Sequence, residues 1–131
     1  MRKREVEEDI TYLQTMLFYA NQVKKKYALV NLDEDSLEQE MFLDSVALML
    51  GQFGEQLDKQ KISYNTYIKY KRLYDFDEMK DARHKIYHHY GGLILERLLK
   101  YVNDDLPVWE TQIRNIIAEL EHELETSDRE I

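Results

Sequence analysis

Arg83-His84-Lys85-Ile86-Tyr87-His88-His89-Tyr90 gathers a guanidinium, an ammonium, three imidazoles and two phenols into one segment, which runs into Gly91-Gly92. That mixture suits phosphate chemistry. Arginine holds a phosphate at two points through its planar fork, histidine exchanges protons near neutral pH, and tyrosine offers a stacking face or an acceptor hydroxyl. Cleaving RNA without a metal needs a base for the 2′-hydroxyl proton, an acid for the leaving 5′-oxygen, and donors for the charge developing on phosphorus oxygens. In this segment His88 is the natural proton carrier and Arg83 the phosphate clamp. One histidine does not easily serve as acid and base in the same step, so a two-fold dimer bringing both copies of His88 to one cleft would complete the set. His84, one helical turn from His88, orients it or contacts phosphate, and Lys85 is a further supporting cation. His89 should point elsewhere.

A rival reading uses some of the same residues. Asp77, Asp81, His84 and His88 follow one helix face at i, i+4, i+7 and i+11, a stripe of first-row metal ligands. A straight helix spreads the stripe over three turns, so only Asp81, His84 and His88 could share an ion. Tyr90 also has two readings, as the apolar seal of a helix end or as an accessible hydroxyl beside two glycines.

The spacing of Arg83, His88 and Tyr90, with polar His84 directly after the arginine, resembles the signature of the HEPN family. More narrowly it resembles the HepT-like branch, small helical toxins that accompany a minimal nucleotidyltransferase antitoxin. The likeness continues through Leu95-Glu96 to Asp105-Leu106-Pro107, and upstream to the helix around Asp44 and the Gly54-Glu55 pair. The chain departs from the pattern at His84, where relatives often have asparagine, and at Leu99, where an aromatic is common. The resemblance implies a HEPN-type up-and-down bundle of four to five helices and a homodimer with a composite, metal-independent endoribonuclease site of Arg83 and His88. It also implies the toxin role of a type VII-like toxin-antitoxin pair, with Tyr90 the acceptor for adenylyl groups. The partner nucleotidyltransferase delivers those groups from ATP, so this chain itself needs no cofactor or metal. Asp44 and Glu55 are the second-helix residues that could contribute. A second function stays open, a non-catalytic helical module that binds nucleotide or presents substrate to a nucleotidyltransferase.

The elements that must position these groups are helical. One proline and four glycines leave few helix breakers in 131 residues, and no stretch shows strand-like alternation. Val6, Ile10, Leu13, Leu17, Ala20 and Tyr27 predict a first helix from about Glu5 to Ala28. Asp33 or Asp35 is the expected N-cap of a second, from about Ser36 to Lys59. That helix is apolar on more than one side, with Asp44, Gly51 and Glu55 along one line; an acid there caps a neighbour or meets a basic site residue, and Gly51 marks a close helix approach. The tyrosine-rich stretch from Ser63 to Tyr70 predicts a short helix or ordered loop, its rings packing in the core or stacking on bases. Asp75 to Glu78 should cap the motif helix, which Gly91-Gly92 ends. A fourth helix spans Leu93 to Asn103, and Asp105-Leu106-Pro107 starts a last one with Trp109, Ile113, Ile116, Ile117, Leu120 and Leu124 inside. Ile86 and Leu93 are the expected apolar dimer contacts. The chain is expected to form one domain over residues 1–131, with a tail frayed from about residue 126.

The absence of cysteine fits a reducing cytoplasm, and no apolar run of spanning length or signal peptide is evident, so a soluble, cytoplasmic protein with no membrane partner is expected. A net charge of −8 argues against indiscriminate nucleic-acid binding. The charge is uneven. Residues 59–89 hold eight Lys and Arg against four Asp and Glu, a local +4, which leaves −12 elsewhere. A basic, tyrosine-rich segment in an acidic body suits a small RNA footprint.

Overall fold

The computed structural model describes residues 2–88 and 95–129, and among these every regular element is helical. In chain order they are α1 (Arg2–Tyr27), α2 (Leu37–Glu55), α3 (Tyr64–Lys71), α4 (Phe76–His88), α5 (Leu95–Lys100) and α6 (Leu106–Arg129), with a wider π-helical turn at Tyr101–Asp105 between the last two. None of the helices is long and apolar enough to cross a membrane.

The apolar stripe of α1 is buried as its spacing predicts, with Leu13, Met16, Ala20 and Val23 fully inside. It packs between α2 and α6, while α4 lies on the other side of α2. Ion pairs fix the direction of α6: Arg2 near the start of α1 bonds Glu123, and Lys24 near its end bonds Glu110 at 2.6 Å. The two helices are therefore antiparallel. Glu110 is nearly buried and also accepts from Arg114, so the acid is paired as burial of a charge requires. Phe53 of α2 stacks on Trp109 of α6, ring centroids 6.1 Å apart, which closes the core between them.

One acid in the α1 stripe holds α3 in place. Asp9 is 1% exposed and accepts hydrogen bonds from the Ser63 backbone N–H at 2.7 Å, the Ser63 hydroxyl at 2.6 Å and the Thr66 hydroxyl at 2.6 Å. Ser63 is itself the N-cap of α3, accepting from the Thr66 N–H, so α3 is capped and anchored to α1 through one cluster.

Several boundaries differ from the sequence expectation. The cap of α2 is Ser36, whose hydroxyl accepts from the Gln39 N–H, and not Asp33 or Asp35. The helix also stops at Glu55, short of Lys59, because the following N–H groups bond three residues back and the Asp58 carboxylate takes the Gln60 N–H. Asp75 does precede α4, and it is tied to α6 by Gln112, which accepts from its N–H and donates to its carboxylate. The expected break before Pro107 is not a break. The backbone stays helical and widens by one residue, the Leu106 N–H reaching the Tyr101 carbonyl. Proline has no N–H to give and its ring crowds the preceding turn, and a π turn relieves both. The expected fraying from Ser127 is also not seen before Arg129, since α6 is helical to that point.

Candidate functional site

Buried Phe76, Met79, Ala82 and Ile86 set the rotation of α4 about its axis. Everything else on the helix follows from that anchor. Arg83 and Tyr87, half-buried, flank the side towards α2; His84 and His88 face outward; Asp81 and Lys85 flank the opposite side, towards Lys100, Tyr101 and Trp109.

The α2 side is a close helix approach built on glycine. A Cβ on Gly54 would stand 2.7 Å from the Met79 carbonyl oxygen and 2.8 Å from the Arg83 Cβ, and one on Gly51 would stand 2.7 Å from the Tyr87 ring. The pairing of 51 with 87 and of 54 with 79 also shows that α2 and α4 run antiparallel. Only with those side chains absent does α4 sit near enough for Glu55 to reach across to Arg83.

The Arg83 guanidinium donates from Nε to the Glu55 carboxylate, an ion pair with about a quarter of each side chain exposed. It is the only hydrogen bond of Arg83 among the described residues, and the two Nη groups remain open to a ligand. The guanidinium also lies against the Tyr87 ring, 5.6 Å from Cζ to centroid. Tyr87 is held in turn by Gln52, whose side-chain N–H donates to its hydroxyl at 2.8 Å. Burial, and then the Glu55 carboxylate, push the Tyr87 phenol above its usual pKa, with Arg83 acting in the opposite sense. Tyr87 is thus a neutral wall for the arginine and not a base.

The imidazoles of His84 and His88 are neighbours, their ring centroids 4.3 Å apart and inclined by 37°. Both side chains are exposed, on the ridge beside Arg83. Lys85 lies on the far flank and pairs with Asp81 at 2.7 Å.

The structure thus brings Arg83, His84, His88 and Glu55 together and leaves Asp44 apart, on the exposed face of α2 with no ion pair among the described residues. Asp81, the first acid considered as a partner for Arg83, belongs to Lys85 instead. Ile86 is 1% exposed and packs in the core, so it is not available as a dimer contact; its place at i+4 from Ala82 on the inner stripe is the reason. Tyr90, His89 and Leu93 lie outside the described residues. The metal stripe does not converge: no three acidic or imidazole groups among the described residues are placed to hold an ion. Sequence reasoning overlooked Tyr87 and Gln52, although Tyr87 stands one helical turn after Arg83 and had to share its side of the helix.

No protein-family model matches the chain, and no curated protein or solved structure is significantly similar to it.

Proposed function

We propose that the chain is a HEPN-type, HepT-like toxin ribonuclease, a homodimer in which Arg83 and His88 of both copies form a metal-independent site for RNA cleavage. The observation that carries this reading is the engagement of Arg83 through Nε alone, which fixes the guanidinium plane and leaves the Nη pair facing the His84 and His88 ridge. A phosphate bound by that fork would sit beside two imidazoles able to move its protons.

The exposure of His88 supports the dimer. One copy offers a ridge and not a cleft, whereas a second copy across a two-fold axis would close the site, exclude water and supply the other imidazole. Tyr90, two residues beyond His88, is the adenylyl acceptor in this reading. A phosphodiester there would set negative charge against Arg83 and occupy the place of the RNA phosphate. The cognate nucleotidyltransferase and ATP should therefore add adenylyl mass to the wild type, none to Tyr90→Phe, and silence cleavage in step with the modification.

The deciding experiment is cleavage of cellular RNA by purified wild type, Arg83→Ala and His88→Ala in the presence of EDTA. Each substitution should lower the rate by about 10² to 10⁴, as loss of a proton-transfer or charge-stabilising group does, with helix content unchanged by circular dichroism. Cleavage that survives both substitutions, or that EDTA removes and manganese restores, overturns the proposal.

A further inference from the structure

A second concavity lies next to the Arg83 and Glu55 pair. The turn after α2, helix α3 and one face of α4 enclose a pocket of about 350 Å³, within the range of small-molecule sites, about 300–1,000 Å³. Leu57, Ile62 and Ile68 give it an apolar lining, and two phenol rings, Tyr64 and Tyr67, stand on its walls.

The two rings are held differently. The Tyr67 hydroxyl donates to Asp77 at 2.9 Å and its ring leans on Phe76, 5.5 Å between centroids; burial, and then Asp77, push its phenol up to about 12. Lys80 covers a face of the Tyr67 ring at 4.8 Å, so Tyr67 is a fixed wall. Tyr64 is 76% exposed, a large aromatic surface left in water at the pocket mouth.

The rim is cationic. Lys59, Lys71 and Lys80 surround the opening, and the nearest ion pair is the long 3.8 Å contact of Lys71 with Asp77. Lys59 and Lys80 have no carboxylate partner among the described residues. In a chain of net charge −8, three lysines around an apolar, aromatic cavity select an anionic ligand with a flat face. The pocket is also continuous with the proposed active site: Lys80 precedes Arg83 by one turn of α4, about 4.5 Å along the axis, and Leu57 follows Glu55 by two residues.

We infer that this pocket binds one unpaired nucleobase of a single-stranded RNA next to the phosphate on Arg83, with Tyr64 stacking on the base and Lys59, Lys71 and Lys80 holding the adjoining phosphates. The path of the strand rests on the ribonuclease reading; the pocket's choice of ligand does not. An acidic protein segment would satisfy the lysines, but continuity with the Arg83 fork favours a polyanion that passes from one site to the other. The base contact makes the chain a reader of single strands, because a base paired in a duplex has no free face to give.

The test is fluorescence anisotropy of a short labelled single-stranded RNA against the full chain carrying His88→Ala, so that binding is read without cleavage. Tyr64→Ala should weaken binding about tenfold, the scale of one base–aromatic stack, and Tyr64→Phe should leave it unchanged, since the ring and not the hydroxyl acts. Joint replacement of Lys59 and Lys80 by alanine should reduce the slope of log affinity against log salt by about 2. An abasic oligomer of equal length should bind the Tyr64 protein as weakly as the natural RNA binds the Tyr64→Ala protein. Tyr64 is mostly in water, so circular dichroism should find both variants folded.

RNA binding indifferent to Tyr64→Ala while the wild type cleaves would overturn the pocket and spare the ribonuclease reading. Tyr64-dependent binding without cleavage by the wild type would do the reverse. No RNA binding, or a Tyr64-dependent affinity for a glutamate-rich apolar peptide only, would overturn the nucleobase assignment.

Discussion

The smallest unit that matters is the contact of Glu55 with Arg83. An acid beside a phosphate-binding arginine is costly if it competes with the ligand, and useful if it takes the one donor that the ligand does not use. Glu55 accepts from Nε and leaves the fork ends open, so it acts as a positioning residue. Glu55→Gln keeps an acceptor oxygen at the same place and should retain most cleavage activity. Glu55→Ala frees the guanidinium to turn and should lower kcat about tenfold or more with little change in KM, because misplaced groups lose rate more readily than binding. Equal effects of both substitutions on kcat and KM would show instead that the charge of Glu55 matters and its hydrogen bond does not.

At the scale of elements, the approach of α4 to α2 sets the site, and Gly54 sets the approach. The Cβ in Gly54→Ala would meet the Met79 carbonyl, a backbone atom that cannot swing aside, so α4 must move away and carry Arg83 with it. Overpacking of this kind costs about 1–3 kcal/mol, and chemical denaturation should find that loss together with loss of cleavage. Gly51→Ala meets only the Tyr87 ring, which can tilt, and should cost less. The same logic applies to α3. Asp9→Ala would leave the Ser63 N–H and two hydroxyls without their acceptor beneath the protein surface, for a loss of about 2–4 kcal/mol. Since α3 carries Tyr64 and Tyr67, that substitution should also weaken RNA binding at temperatures where the rest of the fold survives.

For the molecule as a whole, the ridge of His84 and His88 needs a lid. Apolar side chains are exposed on α2, among them Met41 and Leu48, with Leu48 one turn before the Gln52 that holds Tyr87. A dimer axis near the ridge would cover this part of α2. Light scattering at micromolar concentration should then give twice the chain mass for the wild type, and Leu48→Glu, on the surface of the monomer, should shift the mass towards one chain while leaving helix content intact. A wild-type monomer that cleaves RNA would show that one copy suffices and that His84 serves as the second imidazole.

The helical class, the inner stripes of α1 and α6 and the segment able to do phosphate chemistry were all legible in the sequence, because each depends on spacing along one helix, a property local to the chain. The same local reasoning singled out Gly51 as a point of close approach and Glu55 as an acid on a useful line. It could not tell Glu55 from Asp44. Both lie on one helix at similar spacing, and only the position of α4 decides that one meets Arg83 and the other meets water. The role of Asp9 was hidden for the same reason: an acid in an apolar stripe looks like a defect until three donors from a distant turn arrive to bond it. Pro107 misled because a proline with an acid before it resembles a helix start, whereas a single π turn let the chain continue. Local periodicity thus determined what each helix buries. The tertiary structure decided which polar groups meet across helices, because those contacts depend on how closely and in which direction the helices pack.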